Sequence, residues 1–258
     1  MPEPDRLGAL AAEAGLSRPS IVLKDLAAGG SEAALDAWAP LSPASMIKVP
    51  LAAALCDLWE RGETAPDATV AVAAANMTAN DAESPLVPGY EATLEEAAAL
   101  MLTRSDNVAT NVLIDVVGRA RATAYAERTG LGATAVRRKL SGALPLIDDP
   151  GATGRNAHPA GDAARLFAAI AQGSVPGAQW LLRTLGEQRW NDKLSPGLSP
   201  GDAFAHKTGE TDEVSHDGGI LTTAAGRRYV LVVYSALPAG PQADAAFAQF
   251  MTLLRPLL

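Results

Sequence analysis

Strand-forming sequence lies at the two ends of this chain, and helix-forming sequence lies between them. Ile21-Val22-Leu23 is a short apolar β-type run closed by Gly29-Gly30. No comparable run follows until Ala203–Thr208, Gly219–Thr223 and Tyr229–Ser235, where Ala224-Ala225-Gly226 reads as a hairpin turn. Arg6–Ala14, Met46–Glu60, Thr93–Thr103, Val108–Val117, Asp162–Ala171, Trp180–Arg189 and Ala243–Leu254 carry apolar residues at helical spacing. Gly118 is the expected stop for one of these helices. Hairpin-joined strands separated from a block of helices cannot make a doubly wound parallel sheet. They predict an α+β fold in which the early strand joins the late ones. Residues 1–44 and 190–258 are then expected to form a discontinuous sheet subdomain. Residues 45–189 would form a helical one, with a site at the interface. Residues 140–159, rich in Gly, Pro and Asp, are too long for a plain turn and read as a functional or mobile surface loop.

Composition narrows the function. The chain has 258 residues, 48% of them hydrophobic and 19% charged, enough to bury a full core. Its net charge of -8, with no Lys/Arg block, argues against nucleic-acid or anionic-membrane partners. Cys56 is the single cysteine, and His158, His206 and His216 are scattered, so no metal framework is expected. The opening residues MPEPDRLGALAAEAGL have neither a basic n-region nor a long apolar stretch. The expectation is a cytoplasmic monomer, or a secreted one if a leader had been removed. Gly130-Leu131-Gly132-Ala133-Thr134-Ala135 fits a loose dinucleotide fingerprint but follows a helical segment, which makes it a helix end instead.

Three short motifs occur in order: Ser45-Met46-Ile47-Lys48 (SxxK), Ser105-Asp106-Asn107 (SDN) and Lys207-Thr208-Gly209 (KTG). One turn of helix places Ser45 and Lys48 on the same face. Each motif alone has a plain reading: a helix cap, a solvated lysine, an N-cap tripeptide, an exposed strand lysine. Together and in this order they are the signature of class A β-lactamases and penicillin-binding proteins. The surrounding phrases SMIKVPL, SDNVATNVL, HKTG and HDGG strengthen it. From about Ile21 onward the chain resembles a class A β-lactamase-like protein of the serine β-lactamase/DD-peptidase superfamily.

The resemblance implies an antiparallel sheet flanked by helices plus an all-helical subdomain. It implies acyl transfer without a cofactor, on a β-lactam or a D-Ala-like amide or ester. Ser45 would be the nucleophile, and Lys48, if neutral, the base. Ser105 would carry a proton to the leaving nitrogen. Asn107 would hydrogen-bond the substrate amide. The backbone N–H groups at Ser45 and Glu210 would hold the oxyanion. Lys207 and Thr208 would hold the substrate carboxylate, with Thr211 as a weaker contributor, and Gly209 would complete the substrate-binding set. His216 and Asp217 are equally consistent with lining the site or with a structural role.

One departure stands out. Class A enzymes carry a glutamate between SDN and KTG that activates water for deacylation. Here residues 138–145 read RKLSGALP, and no glutamate lies between Glu127 and Glu187. Ser141, Gly142 or Ala143 is expected in its place, with Asp148 and Asp149 the nearest carboxylates. Slow deacylation follows, or else a D-alanyl peptidase, esterase or transacylase, or a β-lactam-binding protein that does not hydrolyse.

Overall fold

The computed structural model describes residues 1–258. A five-stranded sheet runs in the order β2-β1-β7-β6-β5, every neighbouring pair antiparallel. The strands are β1 (Ser20–Asp25), β2 (Glu32–Leu35), β5 (Ala203–Glu210), β6 (Ser215–Thr222) and β7 (Arg228–Ser235). The early strand does join the late ones: Val22 of β1 lies opposite Val232 of β7.

The two-residue period of β1 and β7 divides the core. Ile21, Leu23, Leu231 and Val233 face α1 (Pro4–Glu13) and α8 (Pro241–Leu254), packing with Leu7, Leu10, Phe247 and Phe250. Val22, Val230, Val232 and Tyr234 face the opposite way, into the larger cluster. That cluster is supplied by α2 (Lys48–Glu60), α3 (Leu94–Thr103), α4 (Asn107–Val117), α5 (Arg119–Arg128), α6 (Ala160–Gln172) and α7 (Ala178–Gly186). α6 packs directly on β1, β6 and β7, and α2 is buried along most of its length. A sheet covered on both faces explains why β6 and β7 are almost wholly buried.

Several elements exceed the sequence expectation. α5 has arginines at 119, 121 and 128 and a weak apolar stripe, yet it packs on α2 through Ala122, Tyr125 and Ala126. β2 and the small β3–β4 ladder (Thr69–Ala71, Glu91–Thr93) are too short to show periodicity. β6 begins at Ser215, four residues before the expected Gly219. His-Asp-Gly-Gly is poor β sequence, but a side chain on Gly219 would lie 2.1 Å from the Ala205 carbonyl oxygen. Glycine there lets β5 and β6 approach, and the flanking strands impose the conformation. No helix is long and apolar enough to cross a membrane.

Candidate active site

Ser45 lies in a 3-10 turn, Ala44–Ile47, that runs into α2. Ala44 just before it has φ +46°, a left-handed conformation that is costly for a residue with a side chain. The turn is fixed from below by His216, whose Nε2 is 2.7 Å from the Ser42 carbonyl oxygen. His216 is completely buried and stacks on Tyr234, ring centroids 4.0 Å apart. It therefore supports the serine turn and does not line a cleft. Burial pulls its pKa down to about 4. Asp217 is also buried, accepting from Leu194 N at 3.0 Å and pairing with His206 at 2.7 Å. The serine turn touches β5 at Gly209, where an added Cβ would be 3.0 Å from Ser45 N.

The SDN tripeptide does two jobs. Asp106 caps α4, accepting from Ala109 N at 2.9 Å. Ser105 precedes it with φ +60°, a second left-handed non-glycine residue. Asn80 secures the tripeptide, its side-chain oxygen accepting from Asn107 N at 2.6 Å. Lys48 reaches all of this from α2. Its Nζ lies 2.5 Å from the Ser105 carbonyl oxygen, 3.0 Å from Ser105 Oγ and 2.8 Å from Asn107 Oδ1. Ser45 Oγ is not among its partners. Asn107 is committed at both ends, since its Nδ2 donates to the Ala79 carbonyl at 3.0 Å.

Lys48 is fully buried and forms no salt bridge. Burial, and then the positive charge of Lys207, holds its pKa well below the ordinary lysine range, against the weaker opposing pull of Asp106 and Asp81. Lys207 is equally buried, donates to the Thr208 carbonyl at 2.8 Å, and is pulled by desolvation to about 7. Two buried lysines without carboxylate partners are an expensive arrangement unless at least one is neutral.

These elements surround a cleft of about 200 Å³. Of the residues expected at the site, Ser45, Ser105, Thr208, Gly209 and Glu210 line it. Lys48 and Lys207 lie buried behind it, and Asn107 holds Lys48. Thr211 is not part of the lining: its hydroxyl accepts from Glu213 N at 3.1 Å and so shapes the β5–β6 turn. The lining also includes residues that the sequence did not reveal: Asp81, Trp190, Asp192, Lys193 and Asp244. They come from irregular segments and from the first turn of α8, and no motif or period connects them. No group of three or more His, Cys, Asp or Glu side chains is placed to hold a metal.

The loop after residue 138 is pinned close by. Leu140 exchanges two hydrogen bonds with the Asn111 side chain, at 2.7 and 3.0 Å. Gly142 N donates to Thr78 Oγ1 at 2.9 Å. A Cβ on Gly142 would fall 1.9 Å from the Ala79 carbonyl oxygen and 3.1 Å from Asn107 Nδ2, so no side chain fits there. Ser141 Oγ is occupied by Ile147 N, and Asp149 is held by Arg119 and by Lys139 N.

Comparison with known proteins agrees with the fold. The chain superimposes on PBP-A with a TM-score of 0.85 at 24% identity, covering 100% of this chain and 98% of that one. A mutant of PBP-A, solved as an acyl-enzyme complex with penicillin G, matches at 23% identity with the same TM-score and coverage. A β-lactamase from Sphaerobacter thermophilus matches at 25% identity and TM-score 0.82, covering 98% of this chain and 97% of that one. No curated protein matches. The sequence model of the β-lactamase enzyme family aligns with residues 5–254, which spans all five strands of the sheet and all three motifs around the cleft, and the chain belongs to that family.

Proposed function

We propose that this protein is a serine hydrolase that acylates Ser45 with a β-lactam or a related amide or ester. The observation that carries the reading is Lys48: buried, without a carboxylate partner, and one helical turn from Ser45. A neutral lysine can donate twice and accept once. The Ser105 carbonyl and Asn107 Oδ1 can only accept, so they take its two N–H groups. The lone pair is left for a hydroxyl proton, from Ser105 in the resting state or from Ser45 once substrate is bound.

In the forward reaction Ser45 Oγ bonds to the carbonyl carbon as its proton passes to Lys48. The N–H groups of Ser45 and Glu210 stabilise the oxyanion. Collapse breaks the carbonyl–nitrogen bond, and the proton returns from Lys48 through Ser105 to the leaving nitrogen. Thr208 and Lys207 orient the far end of the substrate.

Hydrolysis of the acyl-enzyme is slow in this reading. Residues 138–145 bring no carboxylate, Asp149 is already engaged, and Gly142 has no space for a longer residue. The same features favour a transacylase or peptidase over a fast β-lactamase. Mass spectrometry after incubation with penicillin G and with a neutral activated ester tests the proposal. One acyl group on Ser45, lost in Ser45→Ala, is expected. Labelling elsewhere with Ser45 free would refute it.

A further inference from the structure

The last turn of an α-helix leaves carbonyl oxygens without an intrahelical donor. α3 ends at Thr103, two residues before Ser105, and three successive carbonyls there are met from far along the chain. Gln188 Nε2 donates to the Leu102 carbonyl at 3.0 Å, Arg189 N to that of Thr103 at 3.0 Å, and Trp190 Nε1 to that of Arg104 at 2.9 Å. Gln188 is buried, and its Oε1 accepts from Trp190 N at 3.1 Å, which fixes the backbone that carries the indole. The same segment is tied to the sheet. Asn191 Oδ1 lies 3.1 Å from His206 Nε2 of β5, and Leu194 N donates to Asp217 Oδ2 of β6 at 3.0 Å.

The Arg104 carbonyl belongs to the peptide plane that precedes Ser105. The plane that follows is held at both ends, the Ser105 carbonyl by Lys48 Nζ at 2.5 Å and Asp106 N by the Leu100 carbonyl at 3.2 Å. Peptide units are rigid, so the dihedrals of Ser105 are set by how these two planes are turned against each other. Its φ of +60° is a conformation that persists only where the surroundings impose it. Trp190 supplies the side-chain donor on the first plane.

We infer that Trp190 is a positioning residue for Ser105: its indole N–H fixes the peptide plane ahead of the serine and so aims the hydroxyl that hands a proton to the leaving nitrogen. This rests on acylation at Ser45 with the proton route through Ser105. The indole N–H only donates, so it carries no proton itself. The effect depends on the leaving group. When a lactam or amide is cleaved, the carbonyl–nitrogen bond breaks and the nitrogen keeps the electron pair. It then takes the proton that Ser45 gave to Lys48, by way of Ser105. When an aryl thioester is cleaved, the thiolate leaves with the electron pair and needs no proton, and Lys48 returns its proton to solvent. A misaimed Ser105 slows the first reaction and spares the second.

The test compares acylation of Ser45 by penicillin G and by an aryl thioester, read by rapid quench and intact-protein mass spectrometry on the full chain. Trp190→Phe removes the N–H and keeps an aromatic ring. Trp190→His keeps a ring N–H at the same place, because the five-membered rings superimpose, and removes the six-membered ring. In Trp190→Phe, penicillin acylation should fall about tenfold or more, and thioester acylation less than about twofold. Trp190→His should keep the ratio of the two rates close to that of the unmodified protein. In a Ser105→Ala background, Trp190→Phe should cause no further loss with penicillin, since two changes that act through one group do not add. An unchanged penicillin rate in Trp190→Phe, equal losses with both reagents, or a full further loss in the Ser105→Ala background would overturn the inference and leave the Ser45 reading intact. Should Trp190→Phe not fold, Trp190→His decides: a kept ratio supports the inference and a lost ratio overturns it. If neither reagent labels Ser45 in the unmodified chain, the hydrolase reading falls, and this inference with it.

Discussion

Ser105 supplies two of the three hydrogen-bond partners of Lys48, its carbonyl oxygen at 2.5 Å and its hydroxyl at 3.0 Å. The residue is held at φ +60°, a left-handed conformation. The carbonyl fixes the lysine in place, while the hydroxyl is the part that can move a proton.

Replacing Ser105 by Ala and by Gly separates these contributions. Both keep the carbonyl, and both remove the hydroxyl. Acylation is expected to fall about 10²–10⁴-fold in each, as for loss of a general acid–base partner. Ser105→Gly should be the more stable of the two, because only glycine escapes a left-handed cost of about 1–2 kcal/mol. Rapid-quench acylation and thermal unfolding check the pair. Full activity in Ser105→Gly would remove the hydroxyl from the mechanism.

The charge of Lys207 tunes Lys48. Burial is the first cause of the depressed Lys48 pKa and Lys207 the second, so Lys207→Met should let Lys48 hold its proton to higher pH. The acid limb of the acylation profile, measured with a neutral ester, is expected to move up. Asp81→Asn should move it down, because Asp81 favours the charged lysine. Shifts in the opposite sense would exclude Lys48 as the titrating base.

Gly142 is a steric requirement. Gly142→Ala places a methyl group 1.9 Å from the Ala79 carbonyl oxygen. We expect a loss of about 1–3 kcal/mol in denaturant unfolding, as for other overpacked sites. Gly142→Glu should be at least as damaging, and it should not accelerate deacylation. A tolerant, unchanged melting curve for both variants would contradict the close packing.

The buried histidines make the fold acid-sensitive. Desolvation pulls His158 to about 3 and His216 to about 4, from an ordinary 6.5. Below pH 6.5 the unfolded chain binds protons that the folded chain refuses. Stability is therefore complete above pH 6.5 and declines as pH falls toward 4. The slope is about 1.4 kcal/mol per pH unit for each histidine. Urea midpoints between pH 4.5 and 7 should follow this slope, and His158→Phe should flatten it. A flat profile in the unmodified protein would refute buried neutral histidines.

Penicillin G should give a burst of one acyl group per chain, followed by slow turnover. Rapid steady-state hydrolysis without a trapped adduct would mean that another carboxylate activates water. Asp81, which lines the cleft, would then be the first to replace.

The local sequence by itself settles a good deal. Tyr229–Ser235 reads as a strand from its own β-branched and aromatic residues. SxxK puts Ser45 and Lys48 together because one helical turn does so in any fold. Asp106 can cap α4 because an Asp side chain reaches the N–H three residues on. These are short-range consequences of backbone geometry. Tertiary structure decides what depends on neighbours far along the chain. The depressed pKa of Lys48 comes from its depth and from Lys207, 159 residues away by number, and neither depth nor that proximity is written in SxxK. β6 is a strand through Ser215-His216-Asp217-Gly218 because β5 and β7 supply partners on both sides. Thr211 looked like a continuation of the KTG site, but the turn takes its hydroxyl. Lys193 shows no motif at all. It becomes part of the cleft only when β5 and the start of α8 bring Glu210 and Asp244 to it, since a charge cluster is set by distance in space and not by spacing in sequence.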